Sequence, residues 1–208
     1  MWSFANLLTF FRIFISPIFL VIYMEHDFFF ISKTTLPYVL LFILLTSELS
    51  DAFDGFFARR YKQVSDFGKL FDPMADSIAR ISVFLTFTQP PIEIPLLLVF
   101  VFIYRDSVIG TLRTVCALRG RVLSARPTGK LKAILQGMVS ITIVTLMIPA
   151  SLDWITMAIL QQASLALVSL VALYTVYSGV EYLIFHRDDL RSVVRVSTSK
   201  TFSNHQGT

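Results

Sequence analysis

Long apolar segments, separated by short polar connections, make up the first 185 residues of the chain. A helix needs about 20 apolar residues to cross the hydrocarbon core of a bilayer, and six segments of the sequence have about this length. We place the six spans at about residues 4–24, 36–59, 69–89, 92–118, 129–149 and 154–185. The pattern predicts an all-α polytopic membrane domain with six transmembrane helices over residues 1–185, followed by a polar tail over residues 186–208.

The composition agrees with a membrane protein of one domain. The chain has 208 residues, of which 55% are hydrophobic and 15% are charged, and its mean hydropathy is +0.69. This apolar content exceeds that of an ordinary soluble domain. The first apolar segment lacks a preceding basic region and a small-residue cleavage site, so we expect a retained span rather than a signal peptide. The single cysteine, Cys116, excludes a disulfide within the chain and predicts a small buried thiol.

The basic residues predict the orientation of the spans. Most of the 18 lysines and arginines lie in or beside the second connection, the fourth connection and the tail, whereas Lys33 alone lies in a connection on the opposite side. Since cytoplasmic connections are rich in basic residues, both termini are predicted to be cytoplasmic. This positive side favours anionic lipid headgroups or phosphorylated substrates. The chain has no basic, aromatic-interleaved soluble module, which argues against nucleic acid as a partner.

Four aspartates interrupt the second and third spans. Asp51 and Asp54 are three positions apart, and Asp72 and Asp76 are four apart, so each pair shares one helix face. Because the two spans run antiparallel and are joined by a short connection, the pairs can converge at one depth. Four carboxylates in a low dielectric need cations, and Mg²⁺ prefers carboxylate oxygens. Two such ions can clamp a diphosphate, although any one of these acids alone could be a helix cap or an interface charge.

Small residues and an arginine follow the first aspartate pair. Gly55 and Ala58 give the acid-bearing face a shallow surface on which a bulky ligand could rest close to the backbone. Close helix packing is the alternative explanation of these small residues. Arg59 lies one turn after Gly55, where its guanidinium could bind a phosphate, or where it could snorkel to the membrane surface instead.

The segment that carries these residues resembles the signature of the CDP-alcohol phosphotransferase family. The matching positions are Asp51-x-x-Asp54-Gly55-x-x-Ala58-Arg59, then eight residues, then Gly68-x-x-x-Asp72-x-x-x-Asp76. The resemblance implies an integral membrane enzyme with six helices, by default a homodimer, that displaces CMP from a CDP-linked alcohol with a second alcohol. It also implies that Asp51, Asp54 and Asp72 hold two Mg²⁺ or Mn²⁺ ions. Asp76 would complete the site and act as general base. The residues that would shape the CDP pocket are Gly55, Ala58, Arg59 and Gly68.

Two further segments are similar to those of bacterial phosphatidylglycerophosphate synthases within this family. The opening "ANLLTFFRIFISP" has Asn6, Thr9 and Arg12 at matching places, and "YRDSVIGTLRTVCALRGRVLSARPTGKLKAILQ" follows the same order of charged residues. The resemblance extends over about residues 4–137. It implies CDP-diacylglycerol as donor and sn-glycerol 3-phosphate as acceptor, in a bacterial inner membrane with the active site facing the cytoplasm.

Two arginines of the fourth span are candidates for binding the acceptor. Arg105 and Arg113 are eight positions apart, so they share a helix face, and arginines at membrane depth need anionic partners. We favour a pocket for the acceptor phosphate, completed by Lys130 or Lys132. The alternative is structural pairing with a carboxylate from Glu48, Asp106 or Glu181.

One position departs from the synthase pattern. Phosphatidylglycerophosphate synthases commonly have lysine after the final aspartate, where this chain has Ser77, with Arg80 one turn later. The departure leaves open inositol 1-phosphate or another phospholipid-forming alcohol as acceptor. Outside the family, the aspartates alone would also fit an intramembrane prenyltransferase or an ion-coupled transporter. The embedded glycine and arginine positions fit a prenyltransferase poorly, and a transporter is expected to have broken helices and related halves.

Overall fold

The computed structural model describes residues 4–61, 66–120, 123–124, 126–188 and 190–191, with side chains described over residues 11–50 and from residue 73 onward within these ranges. In the described ranges the chain forms six helices and no strands. The helices are α1 (Phe4–Met24), α2 (Leu36–Tyr61), α3 (Asp66–Thr86), α4 (Leu96–Leu118), α5 (Pro127–Ser151) and α6 (Met157–Phe185). The prediction of an all-helical chain with six long helices is confirmed.

The observed boundaries differ from the predicted ones mainly where helices begin. The predicted fourth span starts at residue 92, but α4 begins after Pro95, because a residue that precedes proline is disfavoured in helical conformation. The predicted sixth span starts at residue 154, but α6 begins after Thr156, whose hydroxyl accepts a hydrogen bond from the Ile159 amide at 3.4 Å and caps the helix.

Two of the six helices have the length and apolar composition that a membrane span requires over their described residues. These helices are α5 and α6. The described parts of α1 and α2 contain shorter apolar helices, Phe11–Met24 and Leu36–Ser50. The six spans and the cytoplasmic termini therefore stay predictions, and most of the predicted tail lies outside the described residues.

The helices pack side by side in an order that differs from their order in the sequence. Each helix contacts two neighbours, so the bundle closes as α1, α2, α5, α6, α4 and α3, and α3 also touches α5. Because the connections between long helices are short, successive helices alternate in direction. The starts of α1, α3 and α5 and the ends of α2, α4 and α6 therefore lie together. We call this the charged end, and the end with connections 25–35, 87–95 and 152–156 the opposite end.

The main hydrophobic core extends toward the opposite end. Phe84 lies at its centre, fully buried, with its ring centroid 6.0 Å from that of Phe87 and 4.8 Å from that of Phe102. Connection 87–95 is fastened to two helices, since the Tyr23 hydroxyl donates to the Gln89 carbonyl at 3.0 Å and Gln161 Nε2 donates to the Pro91 carbonyl at 3.0 Å. A smaller cluster near the charged end includes Cys116, which is buried and free, as predicted.

Candidate active site

The four aspartates lie on the two helices that the sequence predicts. Asp51 and Asp54 lie in the second half of α2, Asp72 lies in the first half of α3, and Asp76 is the middle residue of α3. Of the four, only Asp76 has a described side chain. The predicted CDP-pocket residues Gly55, Ala58, Arg59 and Gly68 likewise lie outside the described side chains. Among the described ones, no three histidines, cysteines or acids come together as a metal site.

Asp76 connects α3 to α1 through arginine. Its Oδ1 accepts a hydrogen bond from Nη1 of Arg12, whose side chain is only 4% exposed. Its Oδ2 lies 3.7 Å from Nη2 of Arg80, one turn further along α3. Two guanidinium groups therefore hold the carboxylate from different sides and fix its direction. Arg80 supplies positive charge one turn beyond Ser77, the position where the synthases commonly have lysine.

A second ion cluster joins α4 to α5. Lys132 Nζ lies 2.8 Å from both carboxylate oxygens of Asp106, and Arg105 Nη1 donates to Asp106 Oδ1 at 3.0 Å. The three side chains are 4%, 6% and 13% exposed for Lys132, Asp106 and Arg105 respectively. The contact between Arg105 and Asp106 is the structural pairing that the sequence left open for Arg105.

The two clusters lie close to one another. α3, which carries Asp76 and Arg80, packs against both α4 and α5, which carry the second cluster. With Arg12, four cationic side chains accompany three carboxylates among the described residues of this region: Asp76, Asp106 and Glu48, which lines the same cavity as Arg80. Cationic side chains at such partly buried positions suit a ligand that carries a phosphate.

Arg113 has a different kind of partner. Its Nε donates to the hydroxyl of Tyr182 at 3.1 Å, and its guanidinium carbon lies 5.1 Å from the centre of the same ring. Tyr182 is 1% exposed and its ring is 4.3 Å from the His186 ring, which holds it in place. Arg113 forms no ion pair with a described side chain, and its described partner is a neutral phenol.

The structure therefore separates the four predicted acceptor-binding residues. Arg105 and Lys132 share Asp106, Arg113 lies two turns further toward the end of α4, and Lys130 is exposed at the start of α5. The predicted common face of Arg105 and Arg113 is seen, because both point toward α6.

Helix α6 contributes contacts that the sequence analysis missed. Glu181 accepts hydrogen bonds from Arg126 Nε at 2.9 Å and from Thr128 Oγ1 at 2.8 Å, which fastens the start of α5 to the end of α6. Gly179 lies against the side chain of Arg105. The sequence does contain a signal for these contacts, namely small and polar residues within a long apolar helix. Polar residues are energetically unfavourable in such a helix unless they contact a neighbouring helix.

Comparison with known proteins agrees with the motif. The family model for CDP-alcohol phosphatidyltransferase matches residues 2–184. The CDP-diacylglycerol–glycerol-3-phosphate 3-phosphatidyltransferase of Escherichia coli K12 is 30% identical over 195 residues, which is 91% of this chain and 97% of that protein. Proteins of the same name from Treponema pallidum and Mycoplasma genitalium are each 37% identical, over 94 and 95 residues. These two matches span 42% and 40% of the relatives and 45% and 46% of this chain. The match over nearly the whole chain confirms the resemblance found in the aspartate motif: the protein belongs to the CDP-alcohol phosphatidyltransferase family.

Proposed function

We propose that this protein transfers the phosphatidyl group of CDP-diacylglycerol to sn-glycerol 3-phosphate, forming phosphatidylglycerophosphate and releasing CMP for phospholipid synthesis. The observation that carries the proposal is the similarity to the E. coli protein of that activity over 91% of the chain. The cationic side chains of Arg105, Arg113 and Lys132 on α4 and α5 support a phosphorylated acceptor. Membership of the transferase family argues against the transporter and prenyltransferase alternatives.

Asp76 is the general base in this proposal. The acceptor hydroxyl oxygen attacks the β-phosphorus of CDP-diacylglycerol while its proton passes to a carboxylate oxygen of Asp76. The bond between that phosphorus and the oxygen of the leaving CMP then breaks. Arg12 and Arg80 orient the carboxylate, since each contacts a different oxygen of it.

Two Mg²⁺ or Mn²⁺ ions are the proposed cofactors, held by Asp51, Asp54, Asp72 and Asp76. The all-oxygen donor set fits hard divalent cations, and all four residues lie on α2 and α3. When bound, the ions would neutralise the diphosphate of the donor. The pocket for CDP is proposed to comprise Gly55, Ala58, Arg59 and Gly68.

The phosphate of the acceptor is proposed to bind between α4 and α5. Arg113 is the first candidate because its described partner is neutral, and Arg105 and Lys132 add positive charge that one carboxylate, Asp106, does not balance. Lys130 is exposed and would meet the acceptor on its way in. A neutral acceptor such as serine or choline would not need this charge.

The membrane placement forms part of the same proposal. α5 and α6 have the composition of spans, and we infer that the other four helices also cross the bacterial inner membrane, with both termini and the active site on the cytoplasmic side. There a lipid-borne CDP group and a water-soluble alcohol can both arrive. A homodimer is the assembly that we expect.

The test uses purified protein in lipid nanodiscs with CDP-diacylglycerol and Mg²⁺. CMP release is followed with glycerol 3-phosphate, inositol 1-phosphate, serine or choline supplied separately. We expect release with glycerol 3-phosphate that stops on chelation with EDTA and returns with Mg²⁺ or Mn²⁺. Release only with another alcohol would overturn the acceptor, and full activity in EDTA would overturn the metal site.

A further inference from the structure

The side chain of Arg105 passes the backbone of α6 at a glycine. A Cβ atom added to Gly179 would lie 3.1 Å from Cγ of Arg105, closer than such atoms normally approach. The stem of the arginine therefore occupies the space that any other residue at position 179 would fill. Gly179 has no counterpart in the motifs that reveal the family, which end before α6.

The head of the same arginine meets a second glycine. A Cβ atom added to Gly129, in the first turn of α5, would lie 3.4 Å from Nη2 of Arg105, while Nη1 donates to Asp106 at 3.0 Å. Arg105 thus leaves α4, passes one glycine of α6 and reaches another of α5. We call Gly179 and Gly129, with the space between them, the arginine slot.

Glycine within a helix is otherwise unfavourable, since it loses more backbone freedom on folding than alanine does. A second glycine within a helix, Gly110, has no neighbouring atom that requires a glycine there. Gly110, five positions after Arg105 on α4, has no atom within 4 Å of the place where its Cβ would lie. Gly179 and Gly110 are therefore a matched pair, one in contact with Arg105 and one facing open space.

From this geometry we propose that Gly179 is a positioning residue, which together with Gly129 sets the place of the Arg105 guanidinium and thereby the affinity for the phosphate of the acceptor. The proposal rests on the function proposed above and adds to it a residue that determines the affinity for the acceptor. A methyl group at position 179 must move the Cγ atom of Arg105 by a few tenths of an ångström, and the shift grows toward the guanidinium. Hydrogen bonds to phosphate weaken steeply with such displacement.

The experiment compares Gly179→Ala with Gly110→Ala in the full-length protein in nanodiscs with Mg²⁺. KM is measured separately for glycerol 3-phosphate and for CDP-diacylglycerol. We expect Gly179→Ala to raise KM for glycerol 3-phosphate about fivefold or more, with KM for CDP-diacylglycerol unchanged, because small misplacements of binding groups have effects of this size. Gly110→Ala should change neither constant. Gly129→Ala should have an effect between the two, since its added methyl group meets Arg105 at ordinary contact distance.

A double-mutant cycle separates this role from a loss of helix packing. Arg105→Ala removes the Cγ atom, so adding Gly179→Ala to it should change KM for glycerol 3-phosphate no further. Direct binding of glycerol 3-phosphate, followed by isothermal titration, should show the same weakening in Gly179→Ala and the same absence of effect in the double variant. Equal constants for Gly179→Ala and Gly110→Ala would overturn the proposal. So would an equal rise in both KM values, or a full effect of Gly179→Ala in the absence of Arg105.

The outcomes also distinguish this proposal from the one on which it rests. If the wild-type protein uses inositol 1-phosphate instead, the assignment of glycerol 3-phosphate as the acceptor is wrong. A rise in KM for inositol 1-phosphate in Gly179→Ala would then still support the positioning role of Gly179. If the wild-type protein uses only an alcohol without a phosphate, both proposals fail.

Discussion

The two ends of the bundle are built from different interactions. Toward the opposite end, buried aromatic and aliphatic side chains around Phe84 fill the space between helices. From the middle of the helices toward the charged end, ion pairs join helices, Arg12 with Asp76 and Lys132 with Asp106, beside the smaller apolar cluster that includes Cys116. Buried ion pairs add little net stability, because desolvation of the charges offsets their attraction, whereas buried apolar surface contributes directly. The comparison teaches that the described apolar packing and the described ion pairs are concentrated in different parts of the bundle.

Replacement of Asp76 should give the largest effect. Asp76→Asn keeps the shape of the side chain but removes the oxygen that accepts the proton, so turnover should fall about 10²- to 10⁴-fold. The rate of CMP release in the wild type and the variant measures this. Thermal unfolding of the variant should stay cooperative, since the packing of apolar side chains around Phe84 is unchanged. Full activity in a folded variant would remove Asp76 from the role of base.

The reverse result is expected at the centre of the core. Phe84→Ala deletes a fully buried ring that packs on two others, so the free energy of unfolding should fall by about 3–5 kcal/mol. The measurements are thermal or denaturant unfolding in detergent and KM for both substrates below the unfolding transition. Unchanged stability, or KM values that rise many-fold in folded protein, would contradict the division between the two ends.

An arginine with a neutral partner should matter for one substrate only. Arg113→Ala should raise KM for glycerol 3-phosphate about tenfold, because a charged hydrogen bond to a phosphate contributes about 1.5–3 kcal/mol. KM for CDP-diacylglycerol should change little. Arg187→Ala is the control, since that arginine lies at the same end but its side chain is 65% exposed. Equal weakening of both substrates by Arg113→Ala would undermine the assignment of the pocket.

The smallest effect is expected at Gln161, which fastens connection 87–95 through hydrogen bonds to the Pro91 carbonyl and to a carboxylate oxygen of Glu93. Gln161→Ala removes the hydrogen bond to the Pro91 carbonyl and should lower the free energy of unfolding by about 1 kcal/mol. Neither KM should change. A change in the acceptor KM alone would show that the two ends are more tightly coupled than their contacts indicate.

The sequence predicts the helices well because a span is a local property. The run of apolar residues predicts the bounds of α1 to the residue and those of α5 to within two residues at each end. The aspartate pairs are likewise visible in the sequence, since residues three or four positions apart share a helix face. The start of α4 is less visible, because Ile92 and Ile94 continue the apolar pattern ahead of Pro95 although they lie outside the helix.

The sequence cannot predict contacts that depend on which helices become neighbours. The sequence offers Asp106 among the possible partners of Arg105, but it does not show that Lys132 of α5 contacts both oxygens of the same carboxylate. The roles of Gly179 and Tyr182 likewise require α6 to lie against α4. α6 lies against α4 because the packing order of the helices differs from their order in the sequence. The spacing of residues within one segment carries no information about that order.

The packing order has a consequence for how such an enzyme can diversify. α1 lies between α2 and α3, and α6 lies between α5 and α4, so each half of the chain forms one continuous wall of the bundle. The aspartates are all on the first wall, whereas Arg105, Arg113 and Lys132 are all on the second. Recombination within connection 87–95 would therefore exchange Arg105, Arg113 and Lys132 as a block. Under the proposed function, a change of alcohol would be inherited through the second half while the half that carries the proposed CDP and metal residues is kept intact.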